Sequence, residues 1–140
     1  MFLISIHPQH VAAILDGLKT VECRKSAIGL SVGDTLMLYA TAPSKAVLGR
    51  ATVNDIYQGT PDELWRLHGA RARVSEADFF RYYATASRAT FISLANVEKF
   101  TPAVPLERLR EVQPGFAPPQ TARRLGADLQ TMLGSCVARA

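Results

Sequence analysis

The chain has 140 residues, 48% of them hydrophobic and 20% charged, with 16 Lys+Arg against 12 Asp+Glu and a formal net charge of +4. That apolar content excludes an intrinsically disordered chain, and no apolar run approaches the roughly 18 residues that a membrane-spanning helix needs. A chain of this length buries about two thirds of its unfolded surface on folding, so one domain over residues 1–140 is expected, with no metal or disulfide staple required. The mild positive excess favours an anionic partner such as nucleic acid without naming it. Cys23 and Cys136 match no metal spacing and read as reduced thiols, and His7, His10 and His68 form no ligand pattern. The expectation is therefore no metal, no cofactor and a cytoplasmic location.

Met1 to His7 has no basic run and only a short apolar stretch, so it reads as a first strand and not as a signal peptide. Pro8 suits the first position of a helix that buries Val11, Ile14 and Leu15 and leaves at Gly17. Thr20 to Arg24 alternates as a half-buried strand does, with Val21 and Cys23 on one face and Thr20, Glu22 and Arg24 on the other. Strands follow at Thr35–Ala40 and Ala46–Tyr57, joined by a turn at Ala42–Lys45, with a bulge expected at Gly49. Thr60-Pro61-Asp62-Glu63 is a capping box that opens a helix ending at Gly69, and Ser75 opens another through Ala84. Ala89–Phe100 reads as a strand, and a short helix begins near Pro105. A last helix carries Leu125, Leu129 and Leu133 on one side. Strands joined by short turns point to a small antiparallel or mixed barrel, not to a doubly wound sheet.

The strongest local signal is Gly17-Leu18-Lys19-Thr20-Val21-Glu22-Cys23-Arg24. Lys19 lies at the turn, and Glu22 and Arg24 share one face of the strand. Two cations around one carboxylate can hold a phosphate through Lys19 and Arg24, while Glu22 accepts from a base amino group or steadies Arg24. The same spacing also fits a solvated, salt-bridged strand face. Among the aromatic residues, Tyr82 and Tyr83 cannot both face inward on one helix, so one of them is available to stack on a base. Arg66, Arg71, Arg73, Arg81, Arg123 and Arg124 read as ordinary solvated side chains, and His7 and His10 as capping or solvent-facing residues.

This stretch resembles the ASCH (activating-signal-cointegrator homology) family, whose hallmark G-x-K-x-x-E-x-R is met by Gly17, Lys19, Glu22 and Arg24. The likeness continues through Val32-Gly33-Asp34, Gly49-Arg50-Ala51-Thr52-Val53 and Phe116-Ala117-Pro118-Pro119-Gln120-Thr121. It implies an α+β fold, a PUA-like β-barrel with peripheral helices, whose hallmark residues line a cleft beside the barrel. Some small bacterial members resemble ribonucleases acting on single-stranded RNA. They carry a Tyr at the end of the second barrel strand, a Lys shortly after it and a Ser after Pro-Pro-Gln. Tyr39 and Lys45 fit the first two, and Thr121 keeps the hydroxyl of the third while adding a methyl.

On this resemblance Lys19, Tyr39, Lys45 and Thr121 are the candidate catalytic residues. Lys19, Glu22, Arg24, Tyr39, Lys45 and Gln120 are the candidate nucleic-acid-binding residues. Binding of single-stranded RNA is the leading expectation, with DNA as a possible alternative ligand, and metal-independent cleavage of that RNA is second. A third reading follows another branch of the family, which resembles amidohydrolases of N4-acylated cytidine. Their nucleophilic Thr falls on Glu22 here, Thr20 comes too early, and Asp55 or Glu98 would have to supply a further carboxylate.

Overall fold

The computed structural model describes residues 1–26 and 29–136. In chain order the elements are β1 (Phe2–Ile6), α1 (Pro8–Leu15), β2 (Val21–Arg24), β3 (Thr35–Ala40), β4 (Ala46–Gly59), α2 (Pro61–His68), a 3₁₀ turn at Gly69–Arg71, α3 (Glu76–Tyr82), β5 (Ala89–Pro105), α4 (Leu106–Val112), β6 (Ala122–Arg124) and α5 (Ala127–Gly134). The local signals explain most of these. Pro8 occupies the first turn of α1, whose Val11 and Ile14 are buried, and Gly17 leaves the helix at φ +78, where a side chain would be strained. The Thr60 and Ser75 side chains accept from the amides of Glu63 and Asp78, capping α2 and α3.

The six strands form one mixed sheet in the order β2-β5-β4-β3-β1-β6, in which β1 and β3 run parallel and the other pairs antiparallel. The sheet curls into a half-barrel, and its edge strands β2 and β6 are not paired to each other among the described residues. The barrel expected from the sequence is therefore open along one seam. Side chains from β2 bridge the gap instead: Arg24 Nη2 donates to the carbonyl of Ser5 on β1 at 2.8 Å. A core of Ile4, Ile6, Ile14, Leu38, Val53 and Ile92 fills the concave side beneath α1. A second core, with Leu3, Met37, Phe116 and Leu129, lies beneath α4 and α5. A third gathers Phe79, Tyr83 and Phe91 beneath α2 and α3.

Several boundaries differ from expectation. Ala122–Arg124 is strand β6, paired antiparallel with Phe2–Ile4, and the last helix starts only at Ala127. β5 runs on past Phe100 to Pro105, carried by its pairing with Ala46 and Val47. α3 stops at Tyr82, short of Ala84.

The bulge at Gly49 is present, as register shifts in both of β4's ladders. A Cβ there would collide with the carbonyl oxygen of Glu98 and approach Leu15 Cδ2 to 2.7 Å and Lys99 Cα to 3.2 Å. Two of these neighbours are backbone and cannot swing aside. Gly49→Ala is therefore expected to cost about 1–3 kcal/mol, the range for an overpacked core. Urea unfolding of the variant reads that loss directly, and an unchanged midpoint would contradict the close approach of α1 and β5 to this bulge.

Candidate functional site

The open seam of the half-barrel forms a cleft of about 870 Å³. Its walls come from the ends of β1 and β3, the start of α1, β2 and the residues flanking it, α3, and the loop before β6. Lys19, Glu22, Arg24, Tyr39, Lys45, Gln120 and Thr121 all line it, although they lie far apart along the chain.

The floor is an ionic triad. Glu22 is buried, its Oε1 lying 3.5 Å from Lys19 Nζ and its Oε2 2.8 Å from Arg24 Nη2. Lys19 is only 2% exposed, and its ammonium also donates to the carbonyl of Ala72 at 2.6 Å. Arg24 divides the same Nη2 between Glu22 and Ser5. The alternation of β2 that was legible in the sequence places Glu22 and Arg24 together, and the exit from α1 at Gly17 brings Lys19 back over them. The exposed-strand-face reading does not hold, because these charges are inside. A phosphate contact through Lys19 was expected, yet its ammonium is already engaged within the protein, by the Ala72 carbonyl and the Glu22 carboxylate.

The freely exposed cations of the cleft are Lys45 and Lys25. Lys45 sits at φ +47, a left-handed conformation uncommon for a side-chain-bearing residue outside special sites. Tyr39 is 2% exposed, its ring set among the second core's apolar side chains while the residue borders the cleft. Burial raises the pKa of its hydroxyl above the ordinary tyrosine value, so the group stays a neutral donor. Gln120 and Thr121 are exposed on the opposite rim. The loop that carries them is tied to β1, where the Ser5 amide donates to Thr121 O at 3.0 Å and the Ser5 hydroxyl to Pro119 O at 2.6 Å.

Of the paired tyrosines, Tyr83 is buried and donates to the carbonyl of Arg24 at 2.7 Å, steadying β2 from beneath. Tyr82 is 44% exposed and lines the cleft, with Lys25 Nζ 4.7 Å from its ring centroid. Lys25 had no role in the sequence reading. Cys23 also borders the cleft, but burial pushes its thiol up to about 12, which leaves it protonated and unreactive.

Three other basic residues have partners of their own. Arg81 pairs with Asp78, and Arg123 and Arg124 lie over the rings of Phe116 and Phe2. Asp55 and Glu98 are not among the cleft residues. Asp55 accepts from the amide of Ile56, and Glu98 pairs with Arg50 at 3.0 Å. Among the described residues, no three His, Cys, Asp or Glu side chains gather as a metal-binding set.

His7 and His10 also line the cleft, beyond what the sequence reading assigned them, and His7 makes no side-chain cap to α1. Burial, reinforced by the Lys19 charge, holds His10 below the ordinary imidazole pKa of 6.5, with Glu22 opposing and His7 adding slightly to the fall. His68, outside the cleft, is lowered too, first by burial and then by Arg71, whose Nη2 donates to His68 Nδ1 at 2.8 Å and so requires that nitrogen to be unprotonated.

Both imidazoles are thus harder to protonate in the folded chain than in the unfolded one. Stability from this source is full above 6.5 and is lost as pH falls from there through the lowered folded values. Urea midpoints taken downward from about pH 7 are expected to decline from about pH 6.5. His68→Gln is expected to flatten part of that decline, and an unaltered slope in this variant would contradict the Arg71–His68 arrangement.

The model of the ASCH domain family matches residues 4–107. A protein from Zymomonas mobilis named ASCH domain-containing ribonuclease is 34% identical over 119 residues, which cover 85% of this chain and 80% of that protein. The crystal structure of ASCH from Zymomonas mobilis superposes with a TM-score of 0.90 at 30% identity, covering 96% of this chain and 94% of that one. The N-terminal domain of Staphylothermus marinus McrB, at 12% identity and a TM-score of 0.59 over 96% of this chain and 92% of that one, shares the fold alone. The open half-barrel, the triad at its seam and these matches lead to one conclusion: the chain belongs to the ASCH domain family, with that family's PUA-like fold.

Proposed function

We propose that the cleft binds single-stranded RNA and cleaves it, with protein cations and hydroxyls supplying the charge stabilisation. The observation that carries this reading is the convergence of Tyr39, Lys45, Gln120 and Thr121 on one cleft whose floor is the Lys19–Glu22–Arg24 triad. The relative from Zymomonas mobilis is named a ribonuclease, which supports the same reaction class here. Lys45 and Lys25 are the exposed cations that backbone phosphates would meet. Tyr39 and Thr121 border the cleft, and their hydroxyls are of the kind suited to donate to a non-bridging phosphoryl oxygen as negative charge builds on it. The triad, with its charges already satisfied, holds β2 at a fixed distance from β1 and so sets the width of the cleft.

Tyr82 and Lys25 together form a face on which a nucleobase can stack. Tyr82→Ala is expected to weaken binding of a single-stranded oligoribonucleotide by about 1–3 kcal/mol, the usual contribution of one base–aromatic stack. Fluorescence anisotropy measures it, and an unchanged Kd would remove Tyr82 from the interface.

The reading is tested by incubating purified protein with end-labelled single-stranded RNA in EDTA. Cleavage is expected from the natural protein and is expected to be lost in Lys45→Ala and Tyr39→Phe. Cleavage that survives in both variants would place the reaction at a different site or in a contaminant. The amidohydrolase alternative has less support: Glu22 stands where the resemblance puts the threonine and is held between two cations, while Asp55 and Glu98 lie outside the cleft. N4-acetylcytidine is accordingly expected to remain intact.

A further inference from the structure

Cleavage of RNA by its own 2′-hydroxyl needs a group that takes the hydroxyl proton, and most polar groups in the cleft are unable to do so. Lys19 is a buried ammonium that donates to Ala72 O and pairs with Glu22 at 3.5 Å. Both oxygens of Glu22 are held by cations. Tyr39 and Cys23 keep their protons, because burial raises both. Asp78 is engaged by Arg81 at 2.7 Å. The imidazole of His10 is different. It lies half-buried on the first turn of α1, lines the cleft, and has Lys19 and Glu22 facing it from the turn before β2 and from β2 itself. His7, the residue before α1, also lines the cleft and faces it with ring centroids 6.4 Å apart, but is exposed where His10 is half-buried. Arg24, Lys25, Lys45 and Asp78 complete the charged surroundings of the cleft.

We propose that His10 is the general base of this cleft, taking the proton of the ribose 2′-hydroxyl. The assignment rests on the ribonuclease reading above. A ring nitrogen of neutral His10 accepts the 2′-hydroxyl proton and becomes imidazolium. The freed electron pair on the 2′-oxygen forms a bond to phosphorus. The bond from phosphorus to the 5′-oxygen breaks with its electron pair, and that oxygen takes a proton from water. The imidazolium returns its proton to the hydroxide so formed, and the products are a 2′,3′-cyclic phosphate and a 5′-hydroxyl. Lys19 and Glu22 divide the electrostatic work. Burial first, and the lysine after it, keep the resting imidazole neutral, and the glutamate lies close enough to favour the imidazolium as it forms.

The test uses the full chain and a single-stranded oligoribonucleotide with a 5′ fluorescent label, in EDTA, across about pH 5 to about pH 8. For the natural protein, kcat/KM is expected to fall on the acid side with a midpoint below 6.5, and the 3′ end of the upstream product is expected to be a cyclic phosphate. His10→Ala is expected to lose roughly 100-fold to 10,000-fold in rate, to lose the acid limb, to bind RNA with unchanged affinity, and to regain activity when free imidazole is added. His10→Gln serves as the variant closer in size, with the same loss and no rescue expected. His68→Gln, outside the cleft, is expected to cleave as the natural protein does. Cleavage by the natural protein with the rate and acid limb preserved in both His10 variants would overturn the assignment and leave the ribonuclease reading standing. Binding of RNA with no cleavage at any pH would overturn both.

Discussion

Glu22→Ala is expected to lower the unfolding free energy by about 3–5 kcal/mol, the cost of leaving a buried charge without its partner. Glu22 is the common partner of Lys19 and Arg24, at 3.5 Å and 2.8 Å. Its removal leaves one cation almost wholly buried and the other nearly so. The loss comes from uncompensated desolvation more than from the net value of the ion pairs. A second variant separates the two: Lys19→Met and Arg24→Met combined with Glu22→Leu removes all three charges and fills the space, so it is expected to recover most of the stability. Urea unfolding of the two variants measures the difference. A loss below about 1 kcal/mol for Glu22→Ala, the range of exposed pairs, would contradict the enclosed triad.

Lys45→Ala is expected to reduce RNA cleavage by roughly 100-fold to 1,000-fold, the usual effect of removing one group that stabilises transition-state charge. The side chain is exposed, so its truncation removes little packing, and its left-handed backbone is no better suited to alanine than to lysine. Unfolding midpoints are therefore expected to stay within the narrow range of surface substitutions, which makes the activity loss interpretable. The salt dependence of binding should also become shallower, because one phosphate contact fewer releases fewer counterions. A variant that cleaves at the natural rate with an unchanged salt slope would remove Lys45 from the site.

Where the chemistry depends on spacing along one element, it was legible in the residues. The G-x-K-x-x-E-x-R run places Glu22 and Arg24 on one face of β2, and Pro8 with Gly17 bounds the helix that returns Lys19 to them. What escaped depends on contacts between distant stretches. β6 pairs with β1 across nearly the whole chain, Phe2 opposite Arg124, so the short Ala122–Arg124 run carries almost no local strand signal. The local pattern ends the long strand at Phe100, and prolines at 102 and 105 cannot donate to a ladder, whereas its partner β4 carries it on to Pro105. Lysine is rarely buried, so nothing local marked Lys19 as an interior charge. His7 and His10 read as helix-start residues because only the open seam, which no local pattern describes, turns that end of α1 toward the cleft. Lys25 escaped for a related reason: its position over the ring of Tyr82 joins the end of β2 to α3.

The central claim is that the open seam of the half-barrel is where single-stranded RNA is held. Titrating isotope-labelled protein with a short single-stranded oligoribonucleotide, and following backbone amide shifts by NMR at about 50 mM and about 200 mM salt, tests it most directly. Shifts concentrated at Arg24, Lys25, Tyr39, Lys45, Tyr82 and Gln120, weakening steeply at the higher salt, are the predicted result. Shifts centred on the Arg50–Glu98 pair outside the cleft, or no shifts at the lower salt, would contradict it.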